Sequence, residues 1–269
     1  AEQILTNLNK VQNRNGLRPS TVLGDLNFTV EMETGTGKTY VYLRSIFEMN
    51  RRYGFTKFII VVPSIAIKEG TFKSLQITEE HFKGLYDNIR YDYFVYNSQK
   101  LSQVRNFAAS DYIQIMVMNI QAFNKNFSDA ALRTDAEDSK VNIFHRWNDN
   151  LRGIPKDLVQ ETNPIVIIDE PQSVDTTTNS ADCIASLNPL CTFRYSATHR
   201  DTHHPIYRLD SIDAYEQELV KQIQVAGIRL QDSHNEAYIR LVSVDNKKGV
   251  SAKIELDARK SGRIQRKTI

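Results

Sequence analysis

An α/β fold, a mostly parallel sheet covered by helices on both faces, is predicted by three features of this sequence. Short apolar runs recur at residues 57–62 (K-F-I-I-V-V), 113–118 (I-Q-I-M-V-M), 165–168 (I-V-I-I) and 191–196 (C-T-F-R-Y-S). Each is too short for a helix, and such continuous runs are typical of strands buried on both faces. Segments of helical length lie between them, at 39–53, 66–76 and after Val174, and this alternation builds βαβ units. Finally, a Gly-rich loop at 32–39 separates an alternating stretch (Leu26, Phe28, Val30, Met32) from a helical pattern (Tyr40, Val41, Leu43, Ile46, Phe47).

That loop reads M-E-T-G-T-G-K-T. A Gly-rich turn leaving a strand and opening a helix gathers backbone N–H groups, here of Thr34, Gly35, Thr36 and Gly37, at the positive end of a helix dipole. Such a turn seats phosphate. Lys38 then reaches the β- and γ-phosphates of a nucleoside triphosphate, and the Thr39 hydroxyl ligates Mg2+. The loop departs from the full signature, because Met32 and Glu33 stand where Gly is expected, while Gly35 and Gly37 remain.

Composition bounds the rest. A chain of 269 residues accommodates one large domain, or one domain and part of a second. The net charge of +2 confines any basic nucleic-acid surface to a local patch. Cys183 and Cys191 have no metal-ligand spacing and are expected as core thiols in a reducing, cytoplasmic compartment, although a pairing between them is open. No apolar run approaches a membrane span. The first residue, Ala1, is expected of a processed or excerpted chain.

Three further segments have their own patterns. Residues 120–163, rich in Asn, Asp, Lys and Arg, are expected to form a helical insertion in which Trp147 is a packing anchor. Residues 210–224 place Ile212, Tyr215, Leu219, Val220 and Ile223 at helical spacing. Alternating stretches at 238–244 and 250–256, separated by D-N-K-K-G, predict a β-hairpin. The expected organisation is a first domain over 1–204, followed at 205–269 by a connecting helix and hairpin that lead towards a second domain.

Asp169 and Glu170 follow the most apolar run in the chain. A carboxylate just past a buried strand, downstream of a phosphate loop, suits the magnesium-holding acid, and its neighbour suits the group that polarises an attacking water. S-A-T at 196–198 also ends a strand. His199, His203 and His204 lack the supporting ligands of a zinc site and are expected as loop residues.

In the order G-T-G-K-T, D-E-P-Q, S-A-T, these elements resemble motifs I, II and III of superfamily 2 helicases, which share a RecA-like P-loop fold and commonly carry the shortened phosphate loop. The longer text V-V-P-S-I-A-I-K-E-G, I-I-D-E-P-Q-S-V-D and R-Y-S-A-T-H resembles the Res subunit of type III restriction-modification enzymes, over roughly residues 20–225. The resemblance implies an ATP-dependent DNA translocase. Lys38, Asp169 and Glu170 would be catalytic, with Thr39 and Asp169 on Mg2+. Pro63, Ser64 and Lys68 would meet double-stranded DNA phosphates, with a further contact near Asn119, Ile120 and Gln121. Ser196 and Thr198 would couple the site to DNA. It also implies a modification (methyltransferase) subunit as partner, together with a second RecA-like domain bearing an arginine finger and a nuclease domain. Neither of those domains is recognisable in these residues, so the chain alone is expected to turn over slowly. G-R-I-Q-R at 262–266 is expected to be a basic tail, and no upstream glutamine, Gln3 and Gln12 included, stands out as an adenine reader. Another superfamily 2 helicase and a non-catalytic nucleotide-binding assembly module remain alternatives. All of these readings require the Lys38 amine and Asp169 to share one cleft, within about 10 Å.

Overall fold

A computed structural model describes residues 2–124, 142–174, 177–221, 238–245, 251–260 and 263–269. These divide into two compact units, Ala1–Gln222 and Ile223–Ile269.

The first unit runs α1 (Glu2–Arg14), β1 (Asn27–Met32), α2 (Lys38–Tyr53), β2 (Lys57–Val62), α3 (Ile65–Ile77), α4 (Glu79–Leu85), β3 (Tyr91–Val95), α5 (Ser102–Ala109), β4 (Ile113–Asn119), α6 (Gln121–Asn124), a 3-10 turn at Ile143–His145, α7 (Pro155–Gln160), β5 (Ile165–Asp169), α8 (Pro171–Val174), α9 (Thr178–Ala185), β6 (Cys191–Ser196), β7 (Pro205–Leu209) and α10 (Ser211–Glu216). The seven strands form one sheet in the order β3-β4-β2-β5-β6-β1-β7. Every adjacent pair in it is parallel.

The apolar runs explain the layering. Alternate residues of a strand point to opposite faces. Thus Ile59, Val61, Met116, Met118, Val166 and Ile168 pack into one core with Phe107, Phe144 and Val159. Phe58, Ile60, Val62, Ile115, Val117 and Ile167 pack into the other against Leu43, Ile46 and Phe47 of α2 and Phe82 of α4. Burying an aliphatic side chain completely is worth roughly 1.5–3 kcal/mol, and strands filled on both sides hold their register firmly. Helix α2 stops where Gly54 adopts φ 76° and its N–H closes on Asn50 O, a C-terminal device that favours glycine.

Several expectations are corrected. The sheet continues past residue 204, because β7 pairs with β1; the compact unit therefore extends beyond the boundary drawn at 204. The helix expected over 210–224 ends at Glu216, and Glu218 takes a left-handed φ of 56°. Residues 222–224 lie outside the described region. Ile212, Tyr215 and Leu219 are exposed, so their spacing marks no buried face. Within 120–163, residues 125–141 lie outside the described residues, and the remainder packs onto the sheet through Phe144, Leu151 and Val159. Trp147 is 58% exposed, with its indole N–H on Asp149, so Phe144 is the anchor instead.

The second unit is a three-stranded antiparallel sheet, β10-β9-β8, with β8 Ile239–Asp245, β9 Ser251–Lys260 and β10 Arg263–Thr268. The expected hairpin is β8–β9, and its turn at 246–250 lies outside the described residues. The segment expected as a basic tail pairs as a strand from Arg263 onward. Arg266 donates to Asp257 and covers the Tyr238 ring.

Gln12 of α1 is wholly buried. Its amide donates to Ser20 Oγ and Pro205 O, each at 3.0 Å, and accepts from Ser20 N at 2.7 Å, so it fastens the first helix to the edge strand β7. A buried amide so satisfied is costly to remove. Gln12→Leu is expected to lower the urea unfolding free energy by about 1–3 kcal/mol, and an unchanged midpoint would deny the latch any weight.

Candidate active site

In a parallel sheet all carboxyl ends share one edge, where loops carry the functional groups. Here β5, β6 and β1 are neighbours, with Asp169 opposite Tyr195 and Glu31 opposite Ser196. The ends of the acid-bearing strand, the S-A-T strand and the phosphate-loop strand therefore stand side by side.

Met32 is buried as the last residue of β1, so the missing glycine is a core residue and the turn begins only after it. Glu33 N–H bonds to Leu209 O of β7, and Thr36 N and Oγ1 both bond to Glu33 O. Gly35 and Gly37 take φ 87° and 90°, values that a β-carbon penalises. Gly37 caps α2 with no side-chain acceptor, which leaves the first helix N–H groups to a ligand. Glu33 Oε1 accepts Thr34 N–H at 2.7 Å.

Lys38 opens α2 and points across to β5. Its ammonium donates to Glu170 Oε1 and lies 3.9 Å from Asp169 Oδ1, so the cleft required by the sequence is present. Burial would raise Glu170, but hydrogen bonds from Lys38, Ser196 and Gln172 outweigh it and hold the carboxyl below its ordinary range. Burial pushes Asp169 up to about 6, because the Lys38 charge only partly offsets it and Glu170 adds repulsion. Asp169 Oδ1 is buried with no hydrogen-bond partner among the described residues. An orphaned carboxylate oxygen beside a phosphate loop fits a divalent cation, with Thr39 as the other protein ligand.

Glu170 has φ 56°, a left-handed conformation that costs a non-Gly residue on the order of 1–3 kcal/mol. Its N–H still extends the ladder to Tyr195 O at 2.9 Å, while the side chain is swung onto the edge. There Oε2 accepts from Ser196 Oγ at 2.7 Å and from Gln172 Nε2 at 2.6 Å. Thr198 N–H donates to Ser196 Oγ at 3.0 Å. Ser196 has one proton, and the charged carboxylate is its strongest acceptor within reach.

The structure thus gathers Lys38, Asp169, Glu170, Ser196 and Thr198. Pro63, Ser64 and Lys68 stand apart, on the loop and first turn after β2. Ser64 caps α3 by accepting Ile67 N–H, and Lys68 pairs with Glu69 at 3.5 Å. Pro63 O accepts from Gln121 Nε2, and Asn119 bonds Gln121 in turn, so those two segments adjoin. Ile120 is buried and does not belong to an exposed contact. His199 bonds Val30 O, His203 bonds Asp25, and His204 bonds Ser20. Gln12 has its amide committed elsewhere, and Gln3 is exposed on α1. One participant was missed: Gln172 was visible only as the last letter of D-E-P-Q, and it bonds Glu170 and Ser196.

Over residues 2–201 the chain matches the family model described as type III restriction enzyme, res subunit. It is 30% identical over 237 residues to the Res subunit of the type III restriction-modification enzyme EcoP15I of Escherichia coli, covering 82% of this chain and 24% of that protein. The EcoPI Res subunit of Escherichia phage P1 is 31% identical over 232 residues, with the same coverage. The StyLTI Res subunit of Salmonella typhimurium is 31% identical over 249 residues, covering 79% of this chain and 24% of its own length. The chain spans about a quarter of the length of these curated relatives.

The raised Asp169 has a measurable consequence. Its folded pKa exceeds its unfolded one, so its ionisation opposes folding at neutral pH, and that penalty fades as pH falls from about 6 towards 3.8. In metal-free buffer at pH 7.5, Asp169→Asn is expected to stabilise the fold by on the order of 2–3 kcal/mol. The gain should shrink on acidification. A variant no more stable than the parent in urea at pH 7.5 would contradict the assignment.

Proposed function

Because the chain belongs to the Res-subunit family of type III restriction enzymes, we propose that its first unit is the ATP-binding, helicase-like motor of such a subunit. Hydrolysis there would drive movement on double-stranded DNA before cleavage by a nuclease domain elsewhere in the longer protein. The observation that carries this reading is the meeting of Lys38 with Asp169 and Glu170 at the sheet edge.

The residues divide the work by atom. The N–H groups of residues 34–37, those of Thr34 and Thr36 once released from Glu33, and the first turn of α2 receive the triphosphate, and Lys38 exchanges Glu170 for its β- and γ-oxygens. A magnesium ion held by Thr39 and Asp169 would neutralise charge on those oxygens. Loss of Lys38 removes the main cation near Glu170 and restores basicity to Oε1, the oxygen it vacates. Oε2 stays fixed by Ser196 and Gln172, so Oε1 takes the proton of the attacking water. Substrate binding therefore exposes the base.

Ser64, Lys68 and the Pro63 loop would hold DNA phosphates, which position the duplex without reading its sequence. Ser196 and Thr198 would relay the state of Glu170 to the DNA-bound surface. Reading of the target would belong to a modification (methyltransferase) subunit, and the arginine finger to a second RecA-like domain. No helix among the described residues is long and apolar enough to cross a membrane. Arginine fingers contribute about a thousandfold or more, so residues 1–269 alone should hydrolyse ATP slowly.

In the full-length protein with DNA and partner present, Lys38→Ala is expected to lose ATP binding and turnover together. Glu170→Gln should keep binding but lose about 100- to 10,000-fold in phosphate release. Undiminished hydrolysis by Glu170→Gln would remove the base assignment. Full parent activity with Lys38→Ala would favour a non-catalytic assembly module.

A further inference from the structure

Lys68 lines a cavity of about 810 Å³ formed by α3, the end of β3 and the turn that follows it. A volume of that size holds a small organic ligand. Phe72 follows Lys68 by one helical turn, so both side chains lie on the face of α3 that lines the cavity. The Tyr93 ring meets Phe72 edge-on, with centroids 5.6 Å apart, and its hydroxyl is spent on Glu79 at 2.6 Å. Phe72 and Tyr93 are only partly buried.

The polar groups of the cavity are largely unspent. Beyond β3 a turn is closed by Lys100 N–H on Asn97 O at 2.9 Å. Asn97 Oδ1 accepts Gln99 N–H at 2.8 Å, which leaves the Asn97 NH2 without a partner among the described residues. The Lys100 ammonium and the Gln103 side-chain amide have none there either. Tyr96 is only 7% exposed, and its hydroxyl is buried without a hydrogen bond among the described residues, a cost that phenylalanine would avoid. Lys68 and Lys100 face one carboxylate, Glu69, which pairs with Lys68 at 3.5 Å. Aromatic rings, free amides and a surplus cation are together the groups that take an unstacked nucleotide: π surface for the base, hydrogen bonds for its edge, charge for its phosphate. The backbone of a paired strand would leave the aromatic wall unused.

We propose that this cavity receives a single unpaired nucleotide of a DNA strand whose neighbouring phosphates lie on Ser64 and Lys68. This rests on the DNA placement given under Proposed function. The base lies against Phe72 and Tyr93, the Asn97 and Gln103 amides and the Tyr96 hydroxyl meet its polar edge, and Lys100 takes its phosphate. Such a site is tolerant of sequence, because every base has a π face. It selects instead for local unpairing, since a paired base must first be drawn out of the stack.

The test uses the full-length protein with its partner, and a fluorescently labelled duplex that is either fully paired or carries a one-nucleotide bulge. The parent is expected to bind the bulged duplex about tenfold more tightly. Phe72→Ala and Lys100→Ala should each keep the affinity for paired duplex and lose that preference. A preference retained in both variants overturns the proposal. If Phe72→Ala does not fold, Lys100→Ala decides alone, because Lys100 is exposed and its loss leaves the core intact. Equal affinity of the parent for the two duplexes overturns this proposal only, whereas binding to neither overturns the DNA placement with it. Loss of the partner subunit by Phe72→Ala, with the bulge preference intact, would assign the cavity to a protein contact and overturn the proposal as well.

Discussion

One part-buried cation shared between a buried and a half-buried carboxylate organises this molecule. Lys38 is fixed by the turn that opens α2, Asp169 by the last hydrogen bonds of β5, and Glu170 by a left-handed backbone just beyond them. Asp169, the buried member, is the one for which an unpaired charge would cost several kcal/mol. Their pairing is also incomplete, because one ammonium serves two carboxylates and, among the described residues, Asp169 Oδ1 faces it at 3.9 Å without a hydrogen bond. The site is thus held together by an ammonium whose charge is shared rather than fully matched.

Strand order converts that contact into a device. Because β6 lies between β5 and β1, the Ser196 hydroxyl stands between the acid pair and the phosphate loop. It holds one oxygen of Glu170, receives the N–H of Thr198, and leaves the other oxygen to Lys38. The strain at Glu170 is offset by this ring of hydrogen bonds, which a relaxed backbone would not reach.

Legibility from sequence followed burial. Strands β2, β4 and β5 were readable because both faces of each are filled, which makes continuous apolar runs, whereas β1 was read from its alternation; β2 appears at 57–62, the residues expected. In the seven-stranded sheet the strands that escaped notice, β3 and β7, are its two edges. Tyr91–Val95 interleaves Asp92 with aromatics, and Pro205–Leu209 begins with a proline that a central strand would exclude. Periodicity misled in the other direction at residues 210–224, where the apolar spacing is real but Ile212, Tyr215 and Leu219 face solvent. Trp147 misled for a similar reason, since size alone does not bury a side chain.

By itself the sequence determined the α/β class, the phosphate loop, the acid pair and the family, because glycine turns, apolar runs and strand-end carboxylates are local chemistry written in order. Tertiary structure alone decided which ends are neighbours. It made β6 the go-between, committed Gln12 to Ser20 and Pro205, and turned Gln172 inward to the site. Those choices depend on contacts between residues far apart in the chain. Spacing along one strand or helix carries no record of what lies across the sheet.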